Sequence, residues 1–156
     1  WTDWDHFDSK TDKLLKEEGF NTIMTRKKDQ FISLGRRAII ANELDADMFV
    51  SIHANYNYDS AINGTATYGH WYASKQNWAL AWYVQKQLVE RIGLKNNGLK
   101  AANFAVLRKT NVPAILVETA FLFFFKEERL LRNDYFQQKV AQGIVSGIKE
   151  YYSKRK

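Results

Sequence analysis

Apolar positions along this chain follow two rhythms, one of helical period and one of short, nearly continuous runs. From Ser74 to Ile92, Trp78, Ala81, Trp82, Val84, Leu88 and Ile92 recur at helical spacing, and Gly93 supplies a left-handed stop. Near the end, Phe136, Val140, Ile144, Ile148 and Tyr151 stand at intervals of four or three, which predicts an amphipathic closing helix. "SLGRRAIIANELD" reads as another helix, with Leu34, Ala38 and Ala41 on one side and Arg36 and Arg37 leaning outward. A first helix carries Leu14 and Leu15, is capped by Asp8 or Ser9, and ends at Gly19.

Between these helices, "FNTIMTR", "DMFVSIHAN" and "TATYGHWY" read as strands, and "NFAVLR" and "PAILVETA" as short strands buried on both faces. The polar run from Asn55 to Gly64 is the longest loop candidate. Strands alternating with helices predict a single α/β domain, with a largely parallel twisted sheet and helices on both faces. In such sheets sites gather at the carboxyl ends of strands, and His53 and Glu118 both fall there.

Composition narrows the chemistry. The 156 residues are 46% apolar, enough for one sizeable core, and one proline with no low-complexity stretch leaves nothing that reads as an interdomain linker. The expected organisation is therefore one domain over 1–156. With 10 Phe, 8 Tyr and 5 Trp, the rings exceed what that core needs, so some are expected at a surface or groove. The absence of cysteine excludes disulfides, a thiolate nucleophile and thiolate metal ligands, so any metal must sit on His, Asp or Glu.

A formal charge of +6, with a basic "YYSKRK" end, favours anionic partners. No nucleic-acid module accompanies that charge, and nucleic acid is not the expected partner. No apolar run approaches the ~20 residues of a membrane span. "WTDWDHFDSK" lacks the pattern of a signal peptide, so an exported protein would carry this chain as a mature or excised piece.

An imidazole at a strand end can donate to Zn²⁺, and a nearby carboxylate can move a proton as water attacks a carbonyl. His53 and Glu118 are of the right types, although a hydrogen-bonded structural histidine and a paired carboxylate would look the same in sequence. Context separates these readings. "SLGRRAIIANELDADMFVSIHAN", "NGTATYG", "GLKAANFAVLRKTNVPAILVETAFL" and "YFQQKVAQGIVSGIKEYY", in that order, resemble the zinc-dependent N-acetylmuramoyl-L-alanine amidases over nearly the whole chain.

The resemblance implies hydrolysis of the amide joining N-acetylmuramic acid to the L-alanine of the peptidoglycan stem, with one Zn²⁺ and no organic cofactor. On that reading His53, in "SIHAN", is a zinc ligand, and Glu118, in "LVETAFL", is the catalytic glutamate. It also implies peptidoglycan as partner, with anionic wall polymers beside it, a monomer, and a location outside the cell or at the wall, as an autolysin or a phage-encoded lysin. In the family an N-terminal strand with an "HGG" histidine, and a glutamate at the head of the first helix, complete the zinc shell. This chain has no "HGG", and counting back from Gly19 places that glutamate at or before Trp1, so strand and ligands are expected to be missing or altered.

Further candidates follow from position. In "WTDWDHFD", His6 with Asp3, Asp5 or Asp8 offers donors for a metal; the competing reading is a helix start whose Asp residues meet the positive end of the helix dipole. Asn55 and His70 are candidate substrate contacts, while Arg26 and Arg108 are expected to fix local structure. "FLFFFKEERLL" departs from the family with Phe123 to Phe125, readable as core filling, an apolar patch or a partner contact. The alternative function is a metal-free glycan-binding domain of the same fold, stacking Tyr56, Tyr58, Trp71 and Tyr72 on sugar rings.

Overall fold

A computed structural model describes residues 5–28, 30–55, 63–121 and 125–155. Helix α1 (Asp5–Glu17) begins one turn earlier than Asp8 and Ser9 would cap it. The reason is Phe7, buried in the core, whose carbonyl accepts from Thr11 Oγ1 at 2.8 Å and so continues the apolar stripe toward the N-terminus. Gly19 ends the helix as expected, at φ +83°, and lets Phe20 N–H donate to Leu15 O at 2.9 Å.

Helix α2 (Leu34–Glu43) is capped by Ser33, whose side chain accepts from Arg36 N. Ala38 and Ala41 are buried as predicted, but Leu34 is exposed and Arg37 is half-buried, its Nε donating to Ile32 O at 3.0 Å. Helix α3 (Lys75–Ile92) runs from a Ser74 cap to Gly93, at φ +69°. Helix α6 (Asp134–Lys154) buries Phe136, Val140, Ile144, Ile148 and Tyr151. These two helices press closely together: a Cβ on Gly147 would overlap the backbone of Val84, and one on Gly143 would stand 2.9 Å from the Cα of Leu88.

The sheet contains β1 (Phe49–Asn55), β2 (Thr65–Gly69), β3 (Asn96–Ala101) and β4 (Ala114–Phe121), in the order β1-β4-β2-β3. β1 pairs with β4, and β2 with β3, in parallel; the central pairing of β2 with β4 is antiparallel. The fold is thus α/β with a largely parallel sheet, as expected. Alternation along β4 builds both faces. Ile115 and Val117 pack with Leu80, Val84, Val140 and Ile144 on the α3/α6 side, whereas Ala114 and Leu116 pack with Phe49, Ala41, Val106 and Leu107 on the other.

Two expectations fail for physical reasons, and a third holds only in part. "NFAVLR" contains no strand but the short helix α4 (Ala105–Arg108), because Val106 and Leu107 are both buried in one cluster, which a pleated strand would not allow. "FNTIMTR" joins no ladder, since a cleft separates it from the nearest strand, β1. "TATYGHWY" leaves the sheet at Gly69, and Trp71 and Tyr72 are exposed.

Two elements carry no periodic signal. β3 is polar, mostly exposed, and broken by Gly98 at φ +76°. Helix α5 (Phe125–Leu131) follows the Phe run; Phe123 and Phe124 lie outside the described residues. Buried Glu127 of α5 accepts from Gly64 N at 2.8 Å, tying α5 to the chain just before β2. No helix among the described residues is long and apolar enough to cross a membrane.

Candidate active site

His53 and Glu118 are Cα register partners across the parallel β1/β4 pair. Register partners on neighbouring parallel strands point to the same face, and the strands lie about 4.8 Å apart. Phe49 and Ala114, four pairs back in the same ladder, both belong to the cluster on the α2/α4 side, so His53 and Glu118 project to that face. Sixty-five positions of chain separate them, and the ladder brings them side by side.

Two buried threonines hold their backbones. Thr65 Oγ1 donates to Glu118 O at 2.7 Å, and Thr119 Oγ1 donates to His53 O at 3.0 Å. Ser51, two residues before His53 on the same face, places its Oγ 2.8 Å from His53 Nε2. Ser51, Thr65 and Thr119 were not among the sequence candidates. The two-residue spacing of Ser51 and His53 on a strand was the signal available for the first; the threonines needed the sheet order.

Burial sets the charge states. Glu118 is 9% exposed, its Oε2 finds no hydrogen-bond partner among the described residues, and burial pushes its carboxyl up to about 7. His53 is shifted the other way: burial first, and then the positive charge of Arg37, hold it below its ordinary value. A neutral imidazole therefore stands beside a carboxyl that titrates near neutrality, the pairing of a lone-pair donor with a proton carrier. Tyr68, opposite Leu116 on β2, is shifted upward by burial and by the charge of Glu118.

The remaining candidates divide. His6 lies in the first turn of α1, with its side chain outside the described residues. Asp8 acts electrostatically on Arg37, and Arg37 in turn on His53. Asn55 follows a register shift in β1 and pairs by Cα with Phe121. Tyr56 and Tyr58 lie outside the described residues.

His70 is not beside Glu118. Because β2 runs against β4, with Ala66 opposite Glu118 and Tyr68 opposite Leu116, the chain beyond Gly69 emerges at the other end of the sheet. There His70 meets Asn103 Oδ1 at 3.3 Å and neighbours the exposed Trp71 and Tyr72 rings. Arg108 fixes local structure by donating to both Asn103 O and Asn103 Oδ1. Arg26 lines the cleft beside β1.

The donors can be tested against a zinc shell. The unpartnered oxygen of Glu118 and the neutral ring of His53 suit a divalent ion in kind. In number they fall short: no group of three or more His, Asp or Glu forms among the described residues, whereas a catalytic zinc takes three protein ligands.

A mixed sheet with a histidine and a buried glutamate side by side makes this an α/β domain with a candidate proton-transfer pair, and the sequence comparisons give its family. The N-acetylmuramoyl-L-alanine amidase family profile matches residues 5–150, and the chain belongs to that family. A crystal structure of N-acetylmuramoyl-L-alanine amidase from Clostridium difficile 630 is similar at TM-score 0.94 and 33% identity, over 97% of this chain and 83% of that one. The catalytic domain of CwlV, an amidase of Bacillus (Paenibacillus) polymyxa var. colistinus, gives TM-score 0.90 and 38% identity, over 96% of this chain and 82% of that one. The amidase LytC of Bacillus subtilis is 35% identical over 139 residues, which cover 88% of this chain and 28% of LytC.

Proposed function

We propose that this chain is a peptidoglycan amidase domain, hydrolysing the amide between N-acetylmuramic acid and L-alanine with the help of one Zn²⁺. The observation that carries the reading is the pairing of His53 with Glu118 across β1 and β4, within a chain of the amidase family.

His53 is proposed as a zinc ligand, its neutral state favoured by burial and its ring steadied by Ser51. His6, whose side chain lies outside the described residues, is proposed as a second ligand. When bound, zinc polarises the amide carbonyl and favours the ionised form of the attacking water.

Glu118 moves the proton. Its carboxylate accepts a proton from water as the oxygen bonds to the carbonyl carbon, then returns it to the alanine nitrogen as the C–N bond breaks. The products are a muramic carboxylate and a peptide with a free alanine amine. Burial raises that carboxyl to about 7 in the metal-free chain, and a cation bound beside it would lower it toward the carboxylate that accepts the proton. The partner is peptidoglycan, the net charge of +6 favours the anionic polymers beside it, and the site of action is the cell wall.

The test is digestion of purified peptidoglycan by the zinc-supplemented chain, reading new alanine N-termini. Their appearance, lost on chelation, supports the proposal. New reducing sugar ends, or no release at measured zinc saturation, would overturn it.

A further inference from the structure

On the side of Glu118 away from His53, Ala66 of β2 is its antiparallel register partner, and Tyr68, opposite Leu116, stands one diagonal step away on the same face. β3 continues both rows. Lys100 is the parallel partner of Tyr68, while the step from the Thr65–Asn96 pair to the Thr67–Leu99 pair leaves Asn97 and Gly98 opposite Ala66. Asn97 turns its amide to Asn63 O at 2.7 Å. The row level with Glu118 is therefore low, running from a methyl group to Gly98, whereas the row beside it carries a phenol and then a lysine stem. Phe104 packs on Tyr68 with ring centroids 5.2 Å apart and is itself 37% exposed.

Lys100 is exposed, and among the described residues its ammonium has no hydrogen-bond or ion-pair partner. Resting on the amidase reading, we propose that the stem peptide leaves Glu118 along this low row, against Tyr68 and Phe104, and that Lys100 binds the free carboxylate of the residue following the L-alanine. The substrate's charges select that ligand. Its muramic carboxyl is tied up in the scissile amide and the N-acetyl sugars are neutral, so the anion nearest the reacting carbon belongs to the second residue of the peptide. Two strand spacings and two residues put the Cα of Lys100 about 12 Å from that of Glu118. An extended second residue lies about 7 Å from the scissile nitrogen, which leaves about 5 Å for the lysine stem to span.

The test uses the 156-residue chain with zinc and two synthetic peptidoglycan tetrasaccharides, whose stems are L-alanyl-D-isoglutamate or L-alanyl-D-isoglutamine and differ only in that carboxylate. The acid form should be cleaved with a kcat/KM about fivefold higher, an advantage that shrinks with added salt. Lys100→Met, at an exposed position and so of little consequence for folding, keeps the stem and removes the charge. It should bring the ratio to about one, through KM rather than kcat, while Lys100→Arg should retain it.

Binding without metal gives an independent reading. In NMR titrations of the chelator-treated chain, the backbone amides of Tyr68 and Lys100 should shift more with L-alanyl-D-isoglutamate than with L-alanyl-D-isoglutamine, and the difference should vanish in Lys100→Met. Equal cleavage of the two tetrasaccharides, or a preference that persists in Lys100→Met, would overturn the inference and leave the amidase reading standing. Cleavage of neither at measured zinc saturation would count against the amidase reading itself, and the dipeptide titration would then decide the subsite, since equal shifts from acid and amide overturn it. A Lys100→Met defect on walls bearing anionic polymers but not on the tetrasaccharides would assign the lysine to the polymer and overturn it too.

Discussion

His53 and Glu118 stand on neighbouring parallel strands as register partners, with Thr119 bonded to the carbonyl of the first and Thr65 to the carbonyl of the second. The pair is therefore built into the sheet rather than carried on a loop. Side chains on paired strands are held more precisely than side chains on loops, which suits groups that must share one reacting centre.

Replacing Glu118 by Gln removes the proposed proton carrier and keeps the shape. Turnover of peptidoglycan should fall by about a hundredfold or more, the usual worth of a general acid–base group, while the circular dichroism spectrum stays the same. Release of free alanine amines measures it, and turnover within a factor of two of the parent would remove Glu118 from the mechanism.

The same carboxyl makes the stability of the metal-free protein fall with pH. Its ordinary value of 4.5 is raised to about 7 in the folded state, so between these values the folded chain holds a proton that the unfolded chain has released. Stability is greatest below about 4.5 on this account and declines as pH rises through 7. Glu118→Gln should flatten that decline, gaining on the order of 2 kcal/mol relative to the parent at pH 8 and little at pH 5. Thermal melts with chelator present, compared across that range, would show a constant difference if the carboxyl were not buried in its charged form.

His53 contributes the opposite slope. Its folded value lies below the ordinary 6.5, so stability is lost as pH falls from 6.5 toward that lower value. His53→Ala should remove this acid-side loss and lower zinc per chain. Equal zinc content in the variant, read by atomic emission, would show that the ring is not a ligand.

Ser51→Ala frees the His53 ring from its 2.8 Å partner. Zinc affinity should drop about 10- to 100-fold, as for other groups that orient a metal-bound histidine, with the melting temperature of the metal-free chain nearly unchanged. Competition titration against a zinc indicator reads the first, and an unchanged affinity would mean that the contact orients nothing.

Gly147→Ala tests the α3/α6 contact. The new methyl meets the backbone of Val84, which has no rotamer to yield, so the helices must separate. Destabilisation of about 2 kcal/mol or more is expected in urea unfolding, against less than about 1 kcal/mol for Ser153→Ala on the exposed end of the same helix.

Much of the frame was readable from local chemistry. α3 and α6 have long apolar stripes, and Gly19 and Gly93 stop their helices because only a residue without a Cβ accepts positive φ at no cost. "SIHAN" and "LVETAFL" could be assigned to strand ends because their apolar runs are short and bounded. Where the signal was a few apolar residues, as in "NFAVLR" and "FNTIMTR", it did not distinguish a turn of helix or an unpaired segment from a strand. Polar β3 offered no pattern, since it is an exposed edge held by its neighbour β2 and by the side chain of Asn96.

By itself the sequence determined which residues could hold a metal here: with no cysteine, only imidazoles and carboxylates remain as ligands, and two such groups close apolar runs. It determined the longer helices α1, α2, α3 and α6 too, because their caps and stripes are local. The tertiary structure decided who stands beside whom. Register made His53 and Glu118 neighbours, the antiparallel run of β2 sent His70 to the other end, and the open edge of β1 became a cleft. Pairing between strands is a long-range contact, and no local pattern of residues specifies it.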